Sequence, residues 1–458
     1  MNTDRRRLFA ALAGAAAAAT ATPARANEPP AAPRESMPRG GIDAAAFGIR
    51  PNASEDQTKA LQHAIDAAAA ARAVLRLPPG IYRAGSLQLP PYAAIAGTPG
   101  ATRIVLLGGP SLLSAAAGDH VALSGLVLDG GGLPLPERRG LIHLAQGRAV
   151  RVNDCEIVNS GRNGIALEAI EGEVSGNTIA ATDVAIFSLD ARGLRIAGNT
   201  VRGAGNGGIL VWRSTPGDDG TLIVDNRIED VAAKAGGSGQ YGNAINVFRA
   251  GNVIVRGNRI RNAAFSAVRG NAASNLQIVG NTCTGLGEVA LYAEFGFEGA
   301  LIANNIVDGA ALGVSVTNFN QGGRLAVVQG NIIRNLTSKR PPGTDPNDAA
   351  GVGIGIEADT VVTGNVVENA PNIGIAAGWG VYLCDVAINA NVIRNADFGI
   401  TVSVAPGAGA AVIADNLISG ARRGAIVGME WSKPVTGDLA KDGATRYAQL
   451  SIGGNRVR

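Results

Sequence analysis

From residue 155 onward the apolar and polar positions follow one short pattern, [Gly/Asp/Asn/Ala]-Asn-x-[Ile/Val], repeated to the end of the chain. Its polar place holds Cys155 and then Asn177, Asn199, Asn226, Asn258, Asn281, Asn305, Asn331, Asn365, Asn391, Asn416 and Asn455. Two residues on stand Ile157, Ile179, Val201, Ile228, Ile260, Cys283, Val307, Ile333, Val367, Ile393, Ile418 and Val457. These registers recur about every 27 residues, most often every 22–27. Four residues past the polar place come Asn159, Ala181, Gly203, Asp230, Asn262, Gly285, Gly309, Asn335, Asn369, Asn395 and Gly420. All but Ala181 are types that tolerate a left-handed backbone, so each repeat carries a chirality requirement.

A second aliphatic column runs through Ile165, Ile186, Ile209, Ile245, Val268, Leu291, Val314, Ile354, Ile375, Ile400 and Ile426, in short runs of alternating inward and outward residues. Short strands at this period, punctuated by turn residues, predict an all-β solenoid of stacked parallel strands. About 12 coils from 155 to 457, roughly 4.8 Å apart, make a column on the order of 55 Å tall. In such a column each inward side chain lies over its equivalents. A buried Asn survives there only if its amide bonds to backbone and to the Asn of the next coil, so the recurrent Asn are expected to be structural.

The segment before the repeats reads differently. Ser54 and Gln57 have capping-box spacing, and Leu61, Ala64, Ile65 and Ala68 form a helical stripe, which predicts a helix over 55–72. A strand over 74–77 then meets the turn Pro78-Pro79-Gly80. His63 falls in this helix and is expected at its surface or against the cap.

Composition agrees with this division. With 64 Gly and 33 Asn among 458 residues, long helices are disfavoured, while 46% apolar residues supply a large core. Three Cys and three His leave little for a zinc or disulfide framework. Cys155 and Cys283 are five coils apart, about 24 Å at the coil spacing, too far to pair. Both, and Cys384, are expected to be buried free thiols.

The first 26 residues open on Arg5-Arg6-Arg7-Leu8-Phe9, continue in an Ala-rich apolar run of about 14 residues and end in Ala24-Arg25-Ala26, an A-x-A cleavage pattern. The run is short of the roughly 20 residues needed to span a bilayer. The segment resembles a twin-arginine export signal, which implies a bacterial periplasmic or secreted protein exported folded, with the twin-arginine translocase as its partner in transit. Residues 27–41, rich in Pro and Ala, read as a linker to a single domain over 42–458, of which 42–90 forms the cap. No later stretch reaches membrane-spanning length. The formal charge of +3 is carried by Arg5, Arg6, Arg7 and Arg25 against Asp4, leaving the remaining chain balanced. Composition therefore gives no support for nucleic acid as a partner.

Helix, strand and PPGxY in this order resemble the N-terminal part of pectate-lyase-like β-helix proteins, where the helix caps the open end of the sheets. The whole mature chain resembles the pectin-lyase-like superfamily, single-stranded right-handed parallel β-helices with a short N-terminal capping helix. The export segment with the GNxI repeat resembles a group of bacterial twin-arginine-translocated β-helix repeat proteins. The resemblance implies a site on the outer face of one sheet, in a groove walled by long turns, and it leaves function open, since one fold hosts many activities.

Outward neighbours of the second aliphatic column place Trp212, Phe248, Asn246, Arg269, Asn271, Tyr292, Glu294, Thr317 and Glu357 on one face, with Arg213 and Arg249 expected as neighbours on adjacent coils. Long turns over 213–221, 231–243 and 338–351 flank them. Aromatics beside Arg and carboxylates suit a polysaccharide partner, with Arg matched to uronate carboxylates. Three readings follow. In lyase or epimerase chemistry on a uronate-containing glycan, Arg269 or Tyr292 serves as base and Arg249 as the neutralising cation, with Glu294 beside them. In non-catalytic glycan binding or a structural role in the envelope, the same residues only hold the chain. In inverting glycoside hydrolysis, Glu294 and Glu357, two coils apart and about 9.6 Å between Cα atoms, form the acid–base pair. Among the resembling families, pectate lyases use an Asp-rich calcium site, polygalacturonases a Gly-His-Gly and alginate epimerases an Asp-Pro-His; none of these stands in this chain. His120 and His143 fall in early coils, away from the groove. Asp218-Asp219 and Asp345 to Asp348 offer at most loose calcium sites and read as solvated turns. No cofactor or metal centre is expected.

Overall fold

The computed structural model describes residues 41–458 apart from positions 238, 343, 346 and 347; the stretch read from sequence as an export signal and nearly all of that read as a linker lie outside the described residues. Entry is through a 3-10 turn, Ala44–Phe47, and a 13-residue helix, Thr58–Ala70, that buries Leu61, Ala64, Ile65 and Ala68 as the stripe requires. The helix starts later than its sequence pattern suggests, and Ser54 does not cap it. Asp56 accepts from the Thr58 amide at 2.8 Å, while the Gln57 side chain pairs with the Arg50 backbone, accepting from N at 2.8 Å and donating to O at 3.0 Å. His63 meets Phe47 edge-on at 5.3 Å, as a cap-packing residue would. The following strand is Val74–Arg76.

The rest is a right-handed parallel β-helix of three sheets. In the first, Ile165, Ile186, Ile209, Ile245, Val268 and Leu291 stand in direct register, continuing through Val314, Ile354, Ile375, Ile400 and Ile426. The column reaches back through Ile142 and Leu113 to Leu87, giving fourteen rungs among the described residues. These early coils lack the Asn signature for a physical reason. Leu126 stands in the ladder place, fully buried, and its carbonyl accepts from Glu156 as the Cys155 carbonyl accepts from Thr178. An apolar side chain there makes no demand on a polar neighbour.

The ladder itself is continuous. From Cys155 to Asn416, each backbone N–H at this place donates to the Oδ1 of the Asn one coil on, at 2.9 to 3.0 Å. Each amide Nδ2 donates to the same oxygen and to a carbonyl of the coil before, for example Asn281 to Asn305 and to Val255. All eleven turn positions four residues past the ladder are left-handed, Ala181 included at φ 53°. The residue just before each ladder place is left-handed too, from Asp154 to Gly454.

Cys155 and Cys283 are buried free thiols, pushed up by burial to about 11 and about 12. Cys384, expected to be buried like them, is instead partly exposed on the turn after Leu383. Ser188 is a misfit in the core, as is Ser266. Ser188 is fully buried between its register partners Leu167 and Val211, and its hydroxyl has no partner. An unmade buried hydrogen bond costs about 1–3 kcal/mol, so Ser188→Ala is expected to stabilise the fold by about 1 kcal/mol, measured as a higher denaturant midpoint at unchanged slope.

Candidate functional site

The outer face of the first sheet holds the residues singled out by sequence. Register sets Leu210, Asn246, Arg269, Tyr292 and Ser315 in one column and Trp212, Phe248, Asn271 and Glu294 in the next. Trp212, Asn246, Phe248 and Asn271 line a cavity of about 470 Å³. Its far wall is the 236–241 segment, where Gly236, Gly237 and Gly239 all take positive φ and bring Gln240 and Tyr241 over the sheet. Gln240 and Tyr241 were not foreseen; a Gly-rich stretch signals a bend but not the side to which it folds. Asn246 ties floor to wall: its Oδ1 accepts from Trp212 Nε1 at 3.0 Å and its Nδ2 donates to the Gly239 carbonyl at 3.0 Å. Trp212 meets Phe187 edge-on at 5.4 Å and Phe248 at 5.8 Å, so its ring orientation is set from both sides.

The two arginines expected as neighbours diverge. Register between their strands breaks after Trp212, where the extra residues of a bulge turn Arg213 aside. Arg213 donates to the Ala191 carbonyl at 3.4 Å and lies 4.0 Å from Asp219. Asp219, read from sequence as part of a solvated turn, is buried, and burial raises its carboxyl pKa. Arg213 Nε and Asp219 Oδ2 both lack hydrogen-bond partners. Arg249 remains at the groove, its guanidinium 4.7 Å from the Phe248 ring centre and donating to the Ser214 carbonyl at 3.1 Å.

Beside the cavity lies an ionic cluster. Arg269 grips Glu294 with two hydrogen bonds, of 2.6 and 3.0 Å, and Asn271 donates to the same carboxylate at 2.8 Å. Arg269 is 7% exposed and Glu294 1%, so this pair is sealed from solvent. Glu288, also buried, lies 3.5 Å from Arg269 and 3.8 Å from Arg340, which is itself bonded to Asp348 at 2.8 Å on the 338–351 turn. Burial opposes the charge on Arg269, but Glu294 and Glu288 outweigh it and hold its pKa above the usual range. Such a guanidinium is a fixed cation and not a proton acceptor. The Tyr292 ring lies 5.0 Å from Arg269; burial first, then the Glu294 charge, raises its phenol pKa, against a hydrogen bond with Thr317. Glu357 is two rungs beyond Glu294 and accepts from the Phe319 amide at 2.7 Å; burial raises its carboxyl pKa.

His143 proves to be on this same face, in register with Ser114 and Ala166, four rungs before Asn246. It is buried, its Nδ1 has no partner, and burial lowers its pKa. A second depression, of about 440 Å³, lies on the sheet that holds the paired strands Leu276–Val279, Glu298–Ala303, Arg324–Gln329 and Thr360–Thr363, beside Leu301, Val327 and Val361, and includes none of the foreseen residues.

Comparison with known proteins gives the fold and leaves the chemistry open. A model for a right-handed β-helix region matches residues 215–381, and one for the periplasmic copper-binding protein NosD matches 116–245. No curated protein sequence matches. Among solved structures, the catalytic unit of a GH87 α-1,3-glucanase from Streptomyces thermodiastaticus aligns at TM-score 0.48 and 14% identity, over 92% of this chain and 69% of that one. Bacteriophage phi29 gene product 12, in its pre-mature form, aligns at 0.50 and 14%, over 85% and 54%. A mannuronan C-5 epimerase A-module from Azotobacter vinelandii aligns at 0.43 and 14%, over 91% and 99%. At such identities the likeness is one of fold.

The residues do not fit copper within the stretch that matches the copper-binding family. His120 stacks on Tyr92 at 4.7 Å, Cys155 is sealed in the core, and His143 lies between Glu168, at 3.9 Å, and the charge of Arg139. The group of three potential ligands found among the described residues, Asp359, Cys384 and Asp385, lies elsewhere, and Arg324 already bonds Asp359 at 2.6 Å. No helix among the described residues is long and apolar enough to cross a membrane.

Proposed function

We propose that this chain is an exported protein that binds a polysaccharide in the cavity between the first sheet and the 236–241 segment. One observation carries the reading: the cavity joins an aromatic floor, Trp212 and Phe248, to the amides of Asn246, Asn271 and Gln240, with no carboxylate or cation in its lining. Aromatic faces suit the apolar side of a pyranose, and fixed amides suit its hydroxyls. Arg249, stacked on Phe248 and without an acidic partner among the described residues, supplies a cation for a uronate carboxylate. Export rests on the twin-arginine signal pattern of the first 26 residues.

Binding is to be measured with mannuronan, polygalacturonate and α-1,3-glucan. Trp212→Ala and Phe248→Ala are each expected to weaken the bound polymer about tenfold or more, as truncated aromatic anchors do. Arg249→Ala is expected to weaken only the uronate polymers. Failure of the intact chain to bind any of the three would overturn the reading.

Lyase or epimerase chemistry is a second reading, favoured by the half-buried Tyr292 next to the fixed cation Arg269. It requires new ultraviolet absorbance from unsaturated ends, or epimerisation by NMR, that Tyr292→Phe abolishes. Hydrolysis by Glu294 and Glu357 gains less support, because both Glu294 oxygens are taken by Arg269 and Asn271.

A further inference from the structure

The chain has only three tryptophans, and all three lie at the same edge of the same sheet. Trp212 ends the first-sheet run of its coil, Trp379 follows the strand Val366–Ala377, and Trp431 follows the strand Leu417–Glu430. Trp212 is partly buried in the cavity. The other two are not: Trp379 is 47% exposed and Trp431 46%.

These two rings are nonetheless held in place. Trp379 and Trp431 meet edge-on at 5.8 Å, and Tyr382 meets Trp431 at 6.3 Å. They come from coils two apart, so the contact bridges the turn between them. Trp431 lies over Gly380, where a β-carbon would fall 2.4 Å from the indole. The Gly380 carbonyl accepts from the buried Ser403 hydroxyl at 2.5 Å, which pins that turn.

Trp431 also occupies an unusual backbone position. It is the first of two residues linking Glu430 to Lys433 in an antiparallel hairpin, with φ of 55°. Glycine is the ordinary choice where a two-residue hairpin needs a positive φ there. A bulky, half-exposed indole at such a place is strained without gaining burial. The hairpin begins the 432–449 insertion whose role the repeat pattern leaves unexplained. Its strand Lys433–Asp438 folds back on the last long strand, and the Asp438 carboxylate accepts from the amides of Ala425 and Ile426, at 3.0 and 3.1 Å.

Between the cavity and this cluster, Phe295 projects from the same edge, also exposed. Aromatic rings thus line the edge over eight rung steps, about 38 Å at the usual strand spacing.

We infer that Trp379, Tyr382 and Trp431 form a second glycan subsite, which stacks on sugar rings of a chain lying along the solenoid axis and already held at the Trp212 cavity. The inference rests on the glycan reading of that cavity and extends it to a long polymer as the ligand. The insertion serves to hold Trp431 against the Trp379 turn. A sugar is favoured over a protein partner because the cluster lies at the strand ends on the same edge as the Trp212 cavity, with exposed Phe295 between them, so that one chain along the axis reaches both.

The test uses the full mature chain with mannuronan, polygalacturonate and α-1,3-glucan, each against its own trimer. The intact protein should bind a long polymer at least tenfold more tightly than the trimer. Trp379→Ala/Trp431→Ala should lose that margin and keep trimer binding, while Trp212→Ala loses both. An unchanged polymer affinity in the double variant overturns the second subsite and leaves the cavity standing. No binding of any polymer by the intact protein overturns both. A second measurement is independent of folding in the double variant: in Trp212→Phe, all tryptophan emission comes from Trp379 and Trp431, and polymer should shift or quench it where trimer does not. Emission unmoved by a polymer that binds would equally overturn the inference.

Discussion

Replacing Asn281 with Leu is expected to lower stability by about 3–6 kcal/mol, although Leu is apolar and close in size. The Asn281 Oδ1 accepts from both N and Nδ2 of Asn258, and its Nδ2 donates to the Val255 carbonyl and to Asn305. Leucine supplies none of these. The Asn258 amide hydrogen, the Val255 carbonyl and one lone pair of Asn305 are then left buried without partners, at about 1–3 kcal/mol each. Leu126 shows that an apolar residue is acceptable in this place only when its neighbour on the open side is not an amide seeking a partner. The same change at Asn455, whose side chain is partly exposed, should cost roughly 1 kcal/mol, since water replaces the lost bonds. Denaturant melts of the two variants test this; equal losses would mean that the ladder amides contribute no more than surface turns.

Arg269→Ala is expected to cost about 3–5 kcal/mol, because it strands the buried carboxylates of Glu294 and Glu288. Its sign with pH follows from the charges. Burial raises the folded-state pKa of Glu288 above its unfolded value, and Arg269 is the first charge that opposes this, so its removal leaves the rise larger. The protonated form is then favoured in the native state, so the deficit is greatest at neutral pH and shrinks as pH falls through that raised pKa. The double variant Arg269→Met/Glu294→Met, which removes the pair together, should be less destabilised than Arg269→Ala alone. If the double variant folds and still binds glycan, the pair shapes the face; if it folds and binding is lost, the pair belongs to the site. A double variant worse than the single would contradict the account of a desolvated pair.

How far these features were readable depends on whether a physical requirement repeats. The ladder Asn, the inward aliphatics and the left-handed turns were legible because every coil imposes the same demand for amide partners, burial and backbone chirality. Even Ala181 was placed correctly, since its neighbours above and below fix the conformation it must adopt. The first coils were not legible because a residue such as Leu126 meets the same geometry without the Asn. On the outer face the register put Trp212 beside Phe248 and Arg269 beside Tyr292, because alternation survives along each strand. It failed at Arg213, where a bulge breaks the alternation, and at Gln240 and Tyr241, whose position depends on how a Gly-rich turn folds back. Trp431 was missed for the opposite reason: the hairpin that carries it is antiparallel and has no counterpart in the repeat.

The ladder amides share one further property, their direction. In the ten from Asn177 to Asn416, the NH2 group faces the oxygen of the Asn one coil nearer the C-terminus, so the side-chain dipoles lie head to tail along the axis. A sheet's backbone dipoles largely cancel, whereas these add, and each polarises the next. The solenoid is therefore electrically polar along its length, positive toward its last coils, without spending a formal charge.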